Sequence, residues 1–198
     1  MKLYFSPFSP YVRKCLVVAH ELGLDARITL LPSSAHPVTR DQTIIANNPL
    51  GKVPTLLTDD GQALYDSRVI CRYLDQLADA GLYGNGDAMW QVLTLEATAD
   101  GILDAAVLMA YELRLRPEDK RFPDWVHGQW TKVTRALDMM EQRVIGPLDM
   151  GQIALGCALA YLDFRHDARQ WRVGRPNLTA FAADMALRPA MQATRPPA

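Results

Sequence analysis

Residues 6–15 read SPFSPYVRKC and follow the strand-like run Lys2-Leu3-Tyr4-Phe5. Ser9-Pro10-Tyr11-Val12 has the outline of the redox loop Cys-Pro-Tyr-Cys, but serine and valine stand where that loop has its two thiols. Serine followed by proline at the start of a periodic segment is also the signature of a helix N-cap and first turn. A hydroxyl can serve both purposes, because it has one donor and two acceptor lone pairs. It can cap its own helix and still donate its proton outward. The space before a helix N-terminus favours an anion, including a thiolate.

From this loop the first 78 residues read as an α/β unit. Residues 2–5 form a strand, and 10–22 have helical periodicity closed by Gly23. Residues 27–31 read as a second strand and 40–46 as a weak helix. After the turn cluster Asn47-Asn48-Pro49-Leu50-Gly51-Lys52, a strand over 53–58 carries Pro54. Asp59-Asp60-Gly61 turns the chain into a strand at 62–64, and a helix follows over 66–78. The order is βαβαββα. The glycine-rich stretch 79–87 reads as a linker. Beyond it, 89–115, 124–144, 153–167 and 178–186 read as helices, so 88–198 is expected to be an all-α domain. Asp149 and Gln152 have the spacing of a capping box ahead of the apolar run from Ile153 to Leu162.

Composition narrows the functional classes. The chain has 198 residues, 49% hydrophobic and 22% charged, with a formal net charge of -1. No long run of one charge sign suggests a nucleic-acid or anionic-membrane partner. No apolar stretch approaches the ~18 residues of a membrane span, and the N-terminus does not read as a secretory signal. Cys15, Cys71 and Cys157 form no CxxC pair and no metal-ligand spacing with the four histidines. They read as small core hydrophobes of a reduced, cytoplasmic protein.

Three features converge on one chemistry. The first is the Ser9 loop. The second is Val53-Pro54, where a cis bond would turn the Val53 backbone toward that loop to pair with a peptide-like ligand. By itself the pair reads as an ordinary trans proline at a strand start. The third is Asp66-Ser67, which opens a helix. It reads as a cap, or as an acid beside an anion hole that suits the two charges of a free amino-acid head group. Lys52 reads either as a solvated loop lysine or as the partner of a second carboxylate. A small peptide with an amino-acid head, a central sulfur and a distal carboxylate resembles glutathione, γ-Glu-Cys-Gly.

On the segments SPFSPYVRK, NPLGKVPTL, LYDSRVICRYL, ADGILDA and ALGCALAYLDFRH, the sequence resembles a bacterial, serine-type member of the cytosolic glutathione transferase superfamily. The resemblance covers nearly the whole chain. It implies a thioredoxin-like N-terminal domain over 1–78 and a helical C-terminal domain. It implies that Ser9 holds the glutathione thiolate, with Ser6 as its rival. It also implies that Val53, before cis-Pro54, pairs with the cysteinyl backbone, that Asp66 and Ser67 bind the γ-glutamyl end, and that Lys52 approaches the glycyl carboxylate. Many relatives have Glu where this chain has the shorter Asp66, and Asp where it has Gln152. A homodimer is implied, in which Asp100 reaches the glutamyl amine across subunits or serves as a helix-packing polar residue. The second substrate is expected to be a small hydrophobic electrophile; Phe8, Tyr11, Met109, Tyr111, Arg114 and Trp125 are candidates for its walls, although aromatic and Met residues at helical spacing read more often as core. The alternatives are a binding module without turnover, or a glutathione-dependent isomerase, lyase or disulfide reductase.

Overall fold

A mixed four-stranded sheet begins the chain, and all of its strands lie before residue 65. The computed structural model describes residues 1–39, 41–143 and 146–197. Arg40, which opens the helix expected over 40–46, and Val144, which closes the one expected over 124–144, lie outside the described residues.

The first unit contains β1 (Lys2–Phe5), α1 (Pro10–Glu21), β2 (Thr29–Pro32), α2 (Gln42–Ile45), β3 (Thr55–Leu57), β4 (Ala63–Leu64) and α3 (Ser67–Ala78). This is the expected βαβαββα order. The strands lie in the order β2-β1-β3-β4, with β1 parallel to β2, antiparallel to β3, and β3 antiparallel to β4. Leu3 and Leu56 face each other across β1 and β3, and both are fully buried. Helices α1 and α3 pack together. Val12, Cys15 and Val18 from α1 and Ile70, Cys71 and Leu74 from α3 are buried in the core. All three cysteines are buried, as their reading as small core hydrophobes expects.

Two boundaries differ from expectation for local reasons. The ladder of β3 begins at Thr55, not at residue 53, because Pro54 has no N–H to donate. The second strand begins at Thr29, because Asp25–Arg27 closes a short 3₁₀ turn. The stretch read as a linker is tied to α3. Its Tyr83 is buried, donates to the Arg68 carbonyl (3.4 Å), and has the Arg72 guanidinium 4.5 Å above its ring. Asp75 accepts the Leu82 N–H at 2.8 Å, which secures the turn after α3.

By contacts the chain forms two compact units, Met1–Asn85 with Pro189–Ala198, and Gly86–Arg188. The second unit is helical: α4 (Gly86–Leu115), α5 (Pro123–Glu141), α6 (Met150–His166) and α7 (Pro176–Leu187). Helix α6 is buried almost throughout and packs on α4 and α7. Two glycines permit this. A Cβ at Gly151 would lie 2.8 Å from Leu95 Cβ, and one at Gly156 would lie 2.7 Å from Met185 Cε. Helix α7 has no side-chain cap of its own. Glu141, at the end of α5, accepts the N–H groups of Asn177 and Leu178, each at 2.9 Å. Residues 189–193 form α8, which sequence analysis had placed in the helical domain and which packs on α1. The Arg13 guanidinium donates to the Met191 carbonyl at 3.0 Å. Among the described residues, no helix is long and apolar enough to cross a membrane.

The capping box at α6 is half realised. Asp149 accepts the Gln152 N–H at 2.8 Å, as expected. The Gln152 side chain does not reach back to the cap. Its amide donates to the carbonyls of Gly146 (3.0 Å) and Pro147 (2.6 Å). A carboxylate has no hydrogen to give there, which accounts physically for Gln at this position. Gln152→Glu is therefore expected to cost roughly 3 kcal/mol, since it buries an acceptor against two acceptors. Gln152→Met, which adds no charge, should cost less; denaturant titration of the two variants checks the order.

Candidate functional site

The strand register gathers the three features singled out in the sequence. Because Tyr4 pairs with Thr55 in antiparallel sense, the C-terminal end of β1 lies beside the N-terminal end of β3. Leu64 pairs with Leu56, so β4 also ends there. The chain thus delivers the Ser9 loop, Val53-Pro54 and Asp66-Ser67 to one end of the sheet.

Ser9 is half-buried and caps α1. Its Oγ accepts the Val12 N–H at 3.3 Å, and its own N–H donates to the Ser6 carbonyl at 3.1 Å. The cap uses the oxygen as acceptor and leaves its hydroxyl hydrogen unused by the cap. Ser6, the rival, lies before the helix and contributes its carbonyl to the loop.

The Val53–Pro54 peptide is cis. Val53 is half-buried and lies two residues beyond the last rung of the β1–β3 ladder. The turn that leads to it is organised by Asn48, a residue that sequence reading had taken only as part of a turn cluster. Asn48 is 1% exposed. Its amide donates to the Lys52 carbonyl (3.2 Å) and to Thr55 Oγ1 (2.9 Å), and its Oδ1 accepts the Leu50 N–H (3.0 Å). The Thr55 hydroxyl also donates to the Lys52 carbonyl, at 2.9 Å. Gly51 supplies the left-handed φ of 61° that closes this turn. The Lys52 side chain is exposed while its carbonyl is anchored.

Asp66 caps α3 by accepting the Arg68 N–H at 3.0 Å. The Arg68 side chain returns to the same carboxylate, with Nη2 2.8 Å from Oδ2 and Nε 3.3 Å from Oδ1. That side-chain hydrogen bond is the main cause that holds the Asp66 carboxyl below its ordinary pKa, and the Lys14 charge adds to it. The acid is therefore ionised at neutral pH. Arg68 was missed in the sequence, where the spacing Asp66-Ser67-Arg68 was the only signal for it. Ser67 is 2% exposed, and its carbonyl accepts the Cys15 thiol at 3.8 Å. Cys15 and Cys71 sulfurs are 3.9 Å apart, so the second turns of α1 and α3 meet just behind their caps.

Elsewhere the wall residues expected from the resemblance separate. Met109 is fully buried and belongs to the core of the helical unit, while Phe8, Tyr111 and Arg114 are exposed. Asp100 is buried, which favours its reading as a packing residue of α4. Among the described residues, no group of three or more His, Cys, Asp or Glu could hold a metal ion.

Comparison with known proteins gives the same outline. Residues 8–77 match the family model of the glutathione S-transferase N-terminal domain, and 123–184 that of the C-terminal domain. The chain is 34% identical over 205 residues to the uncharacterized GST-like protein YibF of Escherichia coli (strain K12), covering 100% of this chain and 99% of that one. A glutathione transferase family member from Pseudomonas fluorescens Pf-5, crystallised with bound glutathione, is 46% identical. It superposes with a TM-score of 0.97 over 100% of this chain and 99% of its own. The family member from the same organism with bound S-(propanoic acid)-glutathione has a TM-score of 0.92, is also 46% identical, and covers both chains fully. A glutathione S-transferase from Methylobacillus flagellatus with glutathione bound is 36% identical, with a TM-score of 0.89 over 99% of each chain.

The Asn48 amide is the donor that holds the Lys52 carbonyl and the Thr55 hydroxyl in place. Asn48→Ala is expected to destabilise the chain by about 1–3 kcal/mol. Asn48→Asp keeps the acceptor for Leu50 but buries a carboxylate against the Lys52 carbonyl, so it should cost more than Asn48→Ala; chemical denaturation of the three proteins measures this.

Proposed function

We propose a function for this chain as what it is, a member of the glutathione S-transferase family: it binds reduced glutathione at the described end of the sheet and adds the glutathione thiolate to a small electrophile. The observation that carries this reading is the convergence of two helix caps and the cis-proline turn on one end of a single unit.

The residues fit the tripeptide group by group. Asp66, kept ionised by Arg68, suits the γ-glutamyl ammonium, and the N-terminus of α3 at Ser67 suits its carboxylate. The Val53 backbone, beyond the ladder and before Pro54, suits the cysteinyl backbone, in the manner of an added strand. Lys52 suits the glycyl carboxylate. Ser9 suits the sulfur, because its hydroxyl donates toward a thiolate while the N-terminus of α1 favours the negative charge.

The chemistry supplied by bound glutathione is nucleophilic attack by its thiolate on carbon. A free thiol has a pKa near 8.5, so only a few per cent is ionised at pH 7. Each unit by which the site lowers it is worth about 1.4 kcal/mol and gives roughly tenfold more thiolate, until ionisation saturates. Lower basicity also weakens the nucleophile, so holding the electrophile in line supplies the remainder. S-(propanoic acid)-glutathione, held by the Pseudomonas relative, is the thioether of a three-carbon acid. We read the electrophile of this chain as a small acid of that kind, such as an unsaturated or halogenated propanoate.

Ser9→Ala is expected to reduce kcat by about a hundredfold to a thousandfold, the scale of a lost oxyanion donor. Its glutathione Kd should stay within about twofold, and the pH at which bound glutathione ionises, followed by thiolate absorbance, should rise. Unchanged turnover would show that Ser9 does not hold the sulfur. Binding without turnover by the wild type would make the chain a binding module.

A homodimer is part of the same proposal, supported by family membership and by the exposed Val69 and Leu77 on α3. Light scattering should give twice the 22.1 kDa chain mass; a single chain mass would remove it.

A further inference from the structure

Helices α1 and α3 place two thiols against each other inside the first unit. Cys15 lies on the second turn of α1 and Cys71 on the second turn of α3. Their sulfurs are 3.9 Å apart, and the two residues are 1% and 0% exposed. The Cys71 thiol donates to the Cys15 sulfur, and the Cys15 thiol donates to the Ser67 carbonyl at 3.8 Å. The two S–H groups thus form a short relay in which one sulfur is aimed at the other. Val12 and Val18, one turn either side of Cys15, and Leu74, one turn beyond Cys71, are buried as well. The pair therefore sits in an apolar contact between two helices, away from bulk water.

That arrangement fits a disulfide. The bond needs an S–S distance of about 2.05 Å and Cα atoms roughly 4.4–6.8 Å apart. Packed helices lie about 8–10 Å axis to axis, and each Cα sits about 2.3 Å from its own axis, so facing residues come within that reach. Rotation about the two Cα–Cβ bonds closes the remaining gap between the sulfurs. A sulfenic acid formed on either sulfur would have a thiol already in contact with it, and condensation with that thiol precedes further oxidation.

We propose that Cys15 and Cys71 are a modification site: hydrogen peroxide oxidises the pair to a reversible disulfide that locks α1 to α3. One thiol gives up its proton and its sulfur attacks a peroxide oxygen. The O–O bond breaks, the sulfur becomes a sulfenic acid, and one water leaves. The second sulfur then displaces the hydroxyl as a second water, and the S–S bond forms. The two thiols together lose two electrons and two protons, and the peroxide is reduced to two waters. Burial restricts the reaction to a small oxidant, which reaches the pair through local opening of the helices. The link joins positions 56 apart in the chain, so it constrains the unfolded state. Ser9 and Asp66 cap the same two helices, so the lock also fixes the spacing of the two caps.

The test treats the reduced full-length protein with hydrogen peroxide, removes the excess with catalase, then denatures, alkylates and maps the chain by mass spectrometry. The expected product has lost two hydrogen atoms, carries an alkyl group on Cys157 alone, and yields a Cys15–Cys71 cross-linked peptide pair that dithiothreitol separates. The melting temperature of the oxidised protein should rise by about 4 °C or more and return to its starting value on reduction. After the same treatment, Cys15→Ala and Cys71→Ala should each have both remaining cysteines alkylated, whereas Cys157→Ala should still form the link. The wild-type peptide map decides the pairing even where an alanine variant does not fold. Alkylation of all three cysteines in the treated wild type, a link that includes Cys157, a gain of oxygen in place of the loss of hydrogen, or a melting temperature that does not rise overturns the site.

Discussion

The antiparallel pairing of β1 with β3 is the constraint on which the first unit depends. It is one short ladder, centred on Leu3 opposite Leu56, and both side chains are fully buried. A slip of one residue would turn both leucines to the other face and lose their burial. The same register sets which loop ends are neighbours. It brings the chain leaving β1 toward Ser9 alongside the chain that enters β3 from Val53, and the pairing of β3 with β4 adds Asp66 to the group. Packing of two leucines therefore decides the position of three polar features that do not touch them. The helices consolidate the arrangement, since Cys15 and Cys71 bring α1 and α3 into contact just behind the two caps.

Much of this was legible in the sequence because its signals are local. Helix caps are set within three residues, so Ser9 before Pro10 and Asp66 before Ser67 could be read directly. Proline marks both the start of α1 and the beginning of β3. What escaped reading depends on partners distant in sequence or on the choice between equivalent polar groups. Asn48 looked like one of several turn residues, and only its burial against Thr55 and the Lys52 carbonyl distinguishes it. The cap of α7 comes from Glu141, 36 residues away, and no local pattern announces it. Gln152 was assigned the right neighbourhood and the wrong partner, because an amide can either accept or donate and the sequence does not say which.

Asp66 shows how one short carboxylate serves two local partners. Oδ1 caps α3, and Oδ2 takes the Arg68 guanidinium. A glutamate, one methylene longer, is a poorer N-cap. The aspartate therefore ties the start of the helix and the local negative charge to a single rigid group. On the proposed function, the γ-glutamyl ammonium would share that carboxylate with the exposed Arg68 guanidinium.

The hydrogen bond between Arg13 and Met191 spans 178 positions of the chain. Helix α1 thus leaves the ribosome well before the strip that covers part of it. During synthesis the N-terminal unit has to wait, with that side of α1 uncovered, until the whole helical unit has emerged. A fragment cut at the boundary near residue 85 would lack α8 permanently. The two units are separate in their contacts, yet the first is completed only after the second has been translated, which makes the order of folding a property of the whole polypeptide.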